Sequence, residues 1–316
     1  MDIKSWIFGK ENKLYGITIA FLFLLGISIG FRLNLDADDL QRSESGTLAQ
    51  EKITLLCLGV DKDVVMSDRH PETNSIGQAD AIFVVSIDKA NNQVDIVSVP
   101  RDTMVTMTKY NHKMQFLGVE EDQICLQYAY ADGMEESCKL MVNCVKELFP
   151  NTKIDGYVSI NFEAFTVIND KIGGIEVTVN DPLIALHMGV PVGTTMVLTG
   201  DNAMLYLRIR DKEVMGSAYT RMDRIKEYIT KIIPKGVAEI TKDPGLVVDI
   251  YQALEEHMIT NISIKELVAL VPELTDGTLE NINFYTLEGE IAMGEDGFEE
   301  FYPNQTQLEE LDKLLQ

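Results

Sequence analysis

Positive charge is what this chain has least of: its 316 residues carry 27 lysines and arginines against 50 aspartates and glutamates, a formal charge of −23. That shortage excludes nucleic-acid binding, which rests on a broad basic surface. It equally excludes adhesion of the soluble part to an anionic membrane face. Histidine is as thin. His70, His112, His187 and His257 are scattered without a ligand-like spacing, so a zinc site and a Ser-His or Cys-His nucleophile pair have no support. Internal repeats and low-complexity segments are absent as well.

Four cysteines lie outside the apolar N-terminal stretch, which leaves room for a disulfide. Cys57 falls in an apolar run and reads as a small buried hydrophobe. Cys138 and Cys144 are six apart on one helix and cannot pair with each other, whereas Cys125 with either of them stays open.

With 46% hydrophobic and 24% charged residues, the rest is ordinary globular material. Between Lys13 and Arg32 lie 18 uncharged residues, "LYGITIAFLFLLGISIGF". At ~1.5 Å each they span most of a ~30 Å bilayer core, and residues 14–32 read as a transmembrane anchor. Lys4, Lys10 and Lys13 precede it and "DADD" follows, so residues 1–13 are expected to be a cytoplasmic tail and everything after the anchor to lie outside. A cleaved signal peptide is the alternative, against which stand its length and the lack of a small-x-small site. Residues 33–50 have no periodicity and read as an extracellular stalk, leaving 51–316 as one folded domain.

Within that domain "ITLLCLGV" is a continuous apolar run, suited to a strand buried on both faces. "AIFVVSID" and "VDIVSVP", joined by "KANNQ", predict a hairpin. Cys138, Met141, Val142, Val145, Leu148 and Phe149 fall at helical spacing. "YVSIN" and "IEVTVN" predict strands flanking a helical "FEAFTVINDKI". Helices are expected to dominate after Ser217, with a break at Pro234, before a late strand "INFYTL" and a closing helix "QTQLEELDKLL". Alternating strands and helices indicate an α/β domain with helices on both faces of the sheet.

Against the scarcity of arginine, eight in all, the placement of five is informative: Arg101, Arg208, Arg210, Arg221 and Arg224 fall mid-chain and none follows. Arg101 comes after a proline at the end of a predicted strand. Arg208 and Arg210, read as part of an extended "LYLRIR", would share a face, and Arg221 and Arg224 stand three apart on a helical face. Asp61 lies beyond the C-terminal end of the first strand and Asp80 at the start of the second, which brings both to one rim if those strands are antiparallel neighbours. Paired carboxylates suit Mg²⁺, which completes its shell with phosphate oxygens. Carboxylates, a cation and several arginines together describe a diphosphate site, although a strand-end aspartate commonly only forms a turn and surface arginines commonly only pair with carboxylates.

The series "LLCLGVD", "QADAIFVVSID", "DIVSVPRDT", "GYVSINFEAF", "DKIGGIEVTV", "LTGDNAMLYLRIRD" and "TRMDRIKEYI" resembles the LytR-CpsA-Psr family of membrane-anchored cell-wall proteins, in order and spacing, from about Lys52 to Ile229. The resemblance implies an α/β/α sandwich with a central mixed sheet, preceded by one transmembrane helix, and an apolar tunnel for a polyprenyl chain. It implies transfer of a glycopolymer, such as a teichoic acid or capsule, from an undecaprenyl diphosphate donor to a peptidoglycan acceptor at the outer face of the cell membrane. By position it makes Asp61 and Asp80 the acidic residues associated with Mg²⁺ and, with Arg101, with catalysis, and Arg101, Arg208, Arg210 and Arg221 its diphosphate-binding arginines; Arg224, on one helical face with Arg221, is expected to join them at the diphosphate. Ala81 stands where the family usually has threonine, and Ile225 where it commonly has glutamine. Either Asp80 or Asp61 can be the base. Hydrolysis by water, a polyprenyl-diphosphate sensor with a regulatory role, and a plain adhesion domain are the competing readings.

Overall fold

The computed structural model describes residues 51–316 apart from 63, 69–75, 92, 112, 210–223, 225–226, 229–230, 233–234, 237, 241, 244, 267–281, 296 and the side chains of Arg208 and Ile282. The expected tail, anchor and stalk in residues 1–50, and the break at Pro234, lie outside the described residues. Among the described residues no helix is long and apolar enough to cross a membrane.

Strand β1 (Lys52–Val60) is buried along all but its first residue, as expected of a central strand that meets apolar neighbours on both faces. It pairs antiparallel with β2 (Ala79–Asp88), which pairs antiparallel with β3 (Gln93–Val99). The hairpin β4 (Met104–Tyr110) and β5 (Phe116–Gln123) follows, then a single turn α1 (Ile124–Gln127) and the long helix α2 (Glu135–Leu148). Cys138, Met141, Val145 and Leu148 of α2 are buried, and Cys144 joins them. Beyond α2 come β6 (Gly156–Ile160), α3 (Glu163–Lys171) and β7 (Ile175–Val179), then α4 (Pro182–Met188), β8 (Thr194–Leu198) and α5 (Asp201–Arg208). The chain finishes with α6 (Leu246–Ala253), β9 (Met258–Thr260), β10 (Ile282–Thr286), the hairpin β11 (Gly289–Met293) and β12 (Glu299–Pro303), and α7 (Gln305–Leu315).

Six strands form one mixed sheet in the order β10-β3-β2-β1-β6-β9, with β10 parallel to β3 and β6 parallel to β1. Because side chains alternate across a strand, β1 divides the interior in two. Ile53, Leu55 and Cys57 pack with residues of α3, α5 and α6, while Leu56, Leu58 and Val60 pack with residues of α2 and α7. Helices therefore cover both faces, the mixed α/β arrangement the pattern implied. The four thiols of Cys57, Cys125, Cys138 and Cys144 are free and buried.

One reading differs from the structure. Among the described residues of "LYLRIR", Leu205–Arg208 completes α5 rather than extending, and Ile209 turns extended at φ −68° and ψ 131°. Its alternation of apolar residues is brief, and the helix formers Ala203 and Met204 ahead of it, with Leu205 at its start, favour the helical period. "IEVTVN" forms β7 as expected, and it pairs with β8 in a two-stranded ribbon apart from the main sheet.

Candidate functional site

The antiparallel pairing of β1 with β2 sets Val60 opposite Ala79, so Asp61 and Asp80 emerge at one end of the pair. A register shift between Gly59 and Val60 ends the regular ladder there, and such bulges re-aim the following side chain. One residue holds the two aspartates together. The carbonyl of Gln78 accepts the backbone N–H of Asp61 and that of Asp80, both at 3.0 Å, and the Gln78 N–H donates to Asp61 Oδ1 at 2.6 Å. Gly77 makes the approach possible: at φ +86° an added Cβ would sit 2.5 Å from Val60 Cγ1, too close for any side chain.

Arg101 reaches this rim from the far side of β2. Pro100 ends β3 by removing a ladder donor, and Thr103, wholly buried, closes the turn by donating its N–H (3.1 Å) and hydroxyl (2.6 Å) to the Pro100 carbonyl. The loop is pinned again by Cys125 N–H on the Arg101 carbonyl (3.1 Å) and Phe301 N–H on that of Asp102 (2.8 Å). The guanidinium then donates from Nη1 to Asp80 Oδ1, from Nη2 to Gln78 Oε1 at 2.9 Å and to Cys125 Sγ at 3.5 Å, and Nε faces Asp102 at 3.4 Å.

The electrostatics follow from this crowding. Burial pushes the Asp80 carboxyl up to about 6; the charge of Arg101 works against that, while Asp61 and Asp102 add to it. Burial opposes the charge on Arg101, but Cys125, Asp80 and Asp102 around it outweigh that and hold it above its ordinary value. Burial also pushes the Cys125 thiol up to about 12, so it stays protonated beside the arginine. Among the described residues no group of three or more His, Cys, Asp or Glu is gathered to hold a metal. Asp61 and Asp80 supply two carboxylates, a set that fits a hard cation drawing the rest of its shell from phosphate oxygens and water.

Of the expected anion-binding arginines, Arg101 is at the rim; Arg208 ends α5, and Arg210 and Arg221 lie outside the described residues. Arg224 departs from expectation. Its guanidinium is spent inside the protein: Nε donates to the Tyr206 carbonyl at 2.9 Å, Nη2 to the Ile209 carbonyl and Nη1 to Asp181, and the residue is 7% exposed. Asp181 is itself the N-cap of α4, accepting from Leu183 N–H at 2.9 Å. Arg224 therefore ties the end of α5 to the start of α4, because helix-terminal carbonyls need donors. Sequence reasoning missed Gln78 and Cys125, whose roles depend on the distant Arg101, although the spacing of Gln78 and Asp80, two apart entering a strand, was there to be read.

Known proteins resemble this chain over most of its length. The model of the LytR_cpsA_psr family matches residues 30–316. A protein of Bacillus subtilis named polyisoprenyl-teichoic acid--peptidoglycan teichoic acid transferase TagU is 26% identical over 265 residues, covering 81% of this chain and 74% of its own. Biofilm regulatory protein A of Streptococcus mutans is 29% identical, covering 78% of this chain and 59% of its own. The solved structure described as TagT bound to LIIa-WTA superposes with a TM-score of 0.57 at 24% identity, covering 85% of this chain and 91% of that one.

Proposed function

The chain belongs to the LytR_cpsA_psr family, and on that premise we propose that it transfers a glycopolymer from a polyprenyl diphosphate carrier to peptidoglycan. The observation that carries the reading is the gathering of Asp61, Asp80 and Arg101 at one end of β1 and β2, in a chain whose relatives include proteins named for that transfer. An acceptor sugar hydroxyl attacks the phosphorus bonded to the glycopolymer. A new P–O bond forms, the bond to the carrier's other phosphate breaks, and polyprenyl phosphate leaves. The hydroxyl proton passes to a carboxylate of Asp80 or Asp61. Arg101 faces the oxygens on which charge builds, where a preorganised donor lowers the barrier most; Arg208, Arg210 and Arg221 are proposed to share the diphosphate with it. Mg²⁺, when bound by Asp61 and Asp80, supplies further neutralisation of the diphosphate.

For this chemistry the domain is placed outside the cell, tethered by residues 14–32. Protease added to wall-permeabilised cells is expected to digest the domain, and protection would reverse the topology. The reaction is tested by incubating the full-length chain in detergent with a lipid-linked glycan, Mg²⁺ and peptidoglycan oligomers, followed by mass spectrometry. A covalent glycan–peptidoglycan product is expected. Free glycan phosphate without adduct would make the protein a hydrolase. Retained donor with neither product would make it a binding protein, in keeping with the regulatory name of one relative.

A further inference from the structure

Resting on that reading, we infer that Gln78 is a positioning residue for Arg101: its amide oxygen and the Asp80 carboxylate form a two-point holder for one guanidinium. Gln78 and Asp80 flank Ala79, whose side chain is buried, at the bulged start of β2, and both of their side chains reach the same guanidinium. The two terminal nitrogens of Arg101 divide between them, Nη1 to Asp80 and Nη2 to Gln78. A fork held at two points has a fixed plane, which a single ion pair does not give. The amide orientation follows, since arginine only donates and the oxygen must face it.

Neutrality is the useful property of this residue. Arg101 already meets Asp80 and Asp102, and the charge of Asp61 also reaches Asp80. A further carboxylate would hold the fork equally well but add negative charge where a diphosphate has to approach. Glutamine supplies an acceptor without that repulsion. The side chain acts separately from the backbone of the same residue, which holds Asp61 and Asp80 and survives any substitution that keeps the chain path.

The test uses the full-length chain in detergent, inorganic pyrophosphate with Mg²⁺ as the probe, and NMR of the Arg101 Nη–H groups. Gln78→Met, close in size, is expected to leave the unfolding midpoint in place, speed exchange of the Arg101 Nη–H protons with solvent, and weaken pyrophosphate binding about tenfold, the loss of one charge-assisted hydrogen bond. Gln78→Glu is expected to keep that exchange slow while still weakening pyrophosphate. In an Arg101→Ala background Gln78→Met is expected to have no further effect on binding, because the glutamine acts through the arginine. Unchanged exchange in Gln78→Met, or binding losses that simply add in the double variant, would overturn the assignment. Equal pyrophosphate binding by the wild type and Arg101→Ala would instead remove the diphosphate reading, while the exchange measurement would still decide whether Gln78 holds the arginine.

Discussion

Arg101 and Arg224 look alike in the sequence, each in a motif that suggests an anion, yet the structure uses them in opposite ways. Arg101 has a side chain 32% exposed and bonds to the side chains of Asp80, Gln78, Cys125 and Asp102. Arg224 has a side chain 8% exposed, and two of its partners are main-chain carbonyls at the end of α5. Side-chain acceptors on a rim can turn away when a ligand supplies better ones. Main-chain carbonyls at a helix end are fixed in place and cannot turn away, so an arginine that serves them is structural. What an arginine bonds to, more than its motif, tells whether it is available for chemistry.

The contrast breaks first at Arg224. Arg224→Ala removes the cation paired with Asp181 and the guanidinium donors to two carbonyls and is expected to cost about 3–5 kcal/mol of stability, as for one partner of a buried ion pair, read by urea unfolding. Arg101→Ala should cost within about 1 kcal/mol in the same measurement, as exposed pairs do. If the two variants unfold alike, the division between rim and core is wrong.

A smaller effect tests whether buried acceptors away from the rim behave like those of Arg224. Asp312 of α7, 4% exposed, accepts from Asn151 Nδ2 and Thr152 Oγ1, both at 2.7 Å. Asp312→Ala should therefore lower stability by about 1–3 kcal/mol through unsatisfied donors and leave transfer by the remaining folded protein unchanged.

Smallest is the pH dependence at the rim. Asp80 in the folded protein holds its proton up to about pH 6, whereas in the unfolded chain it releases it near 4. Between those values the folded state binds more protons, so this residue makes stability fall as pH rises from about 4 to 6. Asp80→Asn should flatten that part of the profile, and an unchanged slope would show that burial does not govern this carboxyl. Arg101→Lys should recover only part of the activity lost in Arg101→Ala, since an ammonium cannot bridge Asp80 and Gln78 in one plane; full recovery would make the fork irrelevant.

Strands buried on both faces and strongly amphipathic helices were legible in the sequence: β1, the β2–β3 hairpin, α2, β10 and α7 lie where their apolar patterns put them. The exposed hairpins were not. β5 reads "FLGVEEDQ" and β11 is exposed along its whole length, so neither carries a core-facing alternation. Helix α4, with Asp181 as N-cap and Pro182 at its first position, went unread because it is too short for a period. At the site, Asp61, Asp80 and Arg101 could be anticipated because strand ends are positions in the sequence. The bonds of Gln78 and the burial of Arg224 could not, because each depends on a partner at least 15 residues away in the chain.

The central claim is that Arg101 acts on the transferred group and does not merely hold the fold. Single-turnover transfer of a lipid-linked glycan to peptidoglycan oligomers by wild type and Arg101→Ala, at equal donor saturation and with unfolding midpoints measured on the same samples, tests it directly. The account predicts a rate lower by about 10²–10³, the effect of losing one preorganised donor to a developing oxyanion, with the midpoint nearly unmoved. Equal rates, or a loss of rate matched by loss of folded protein, would contradict it.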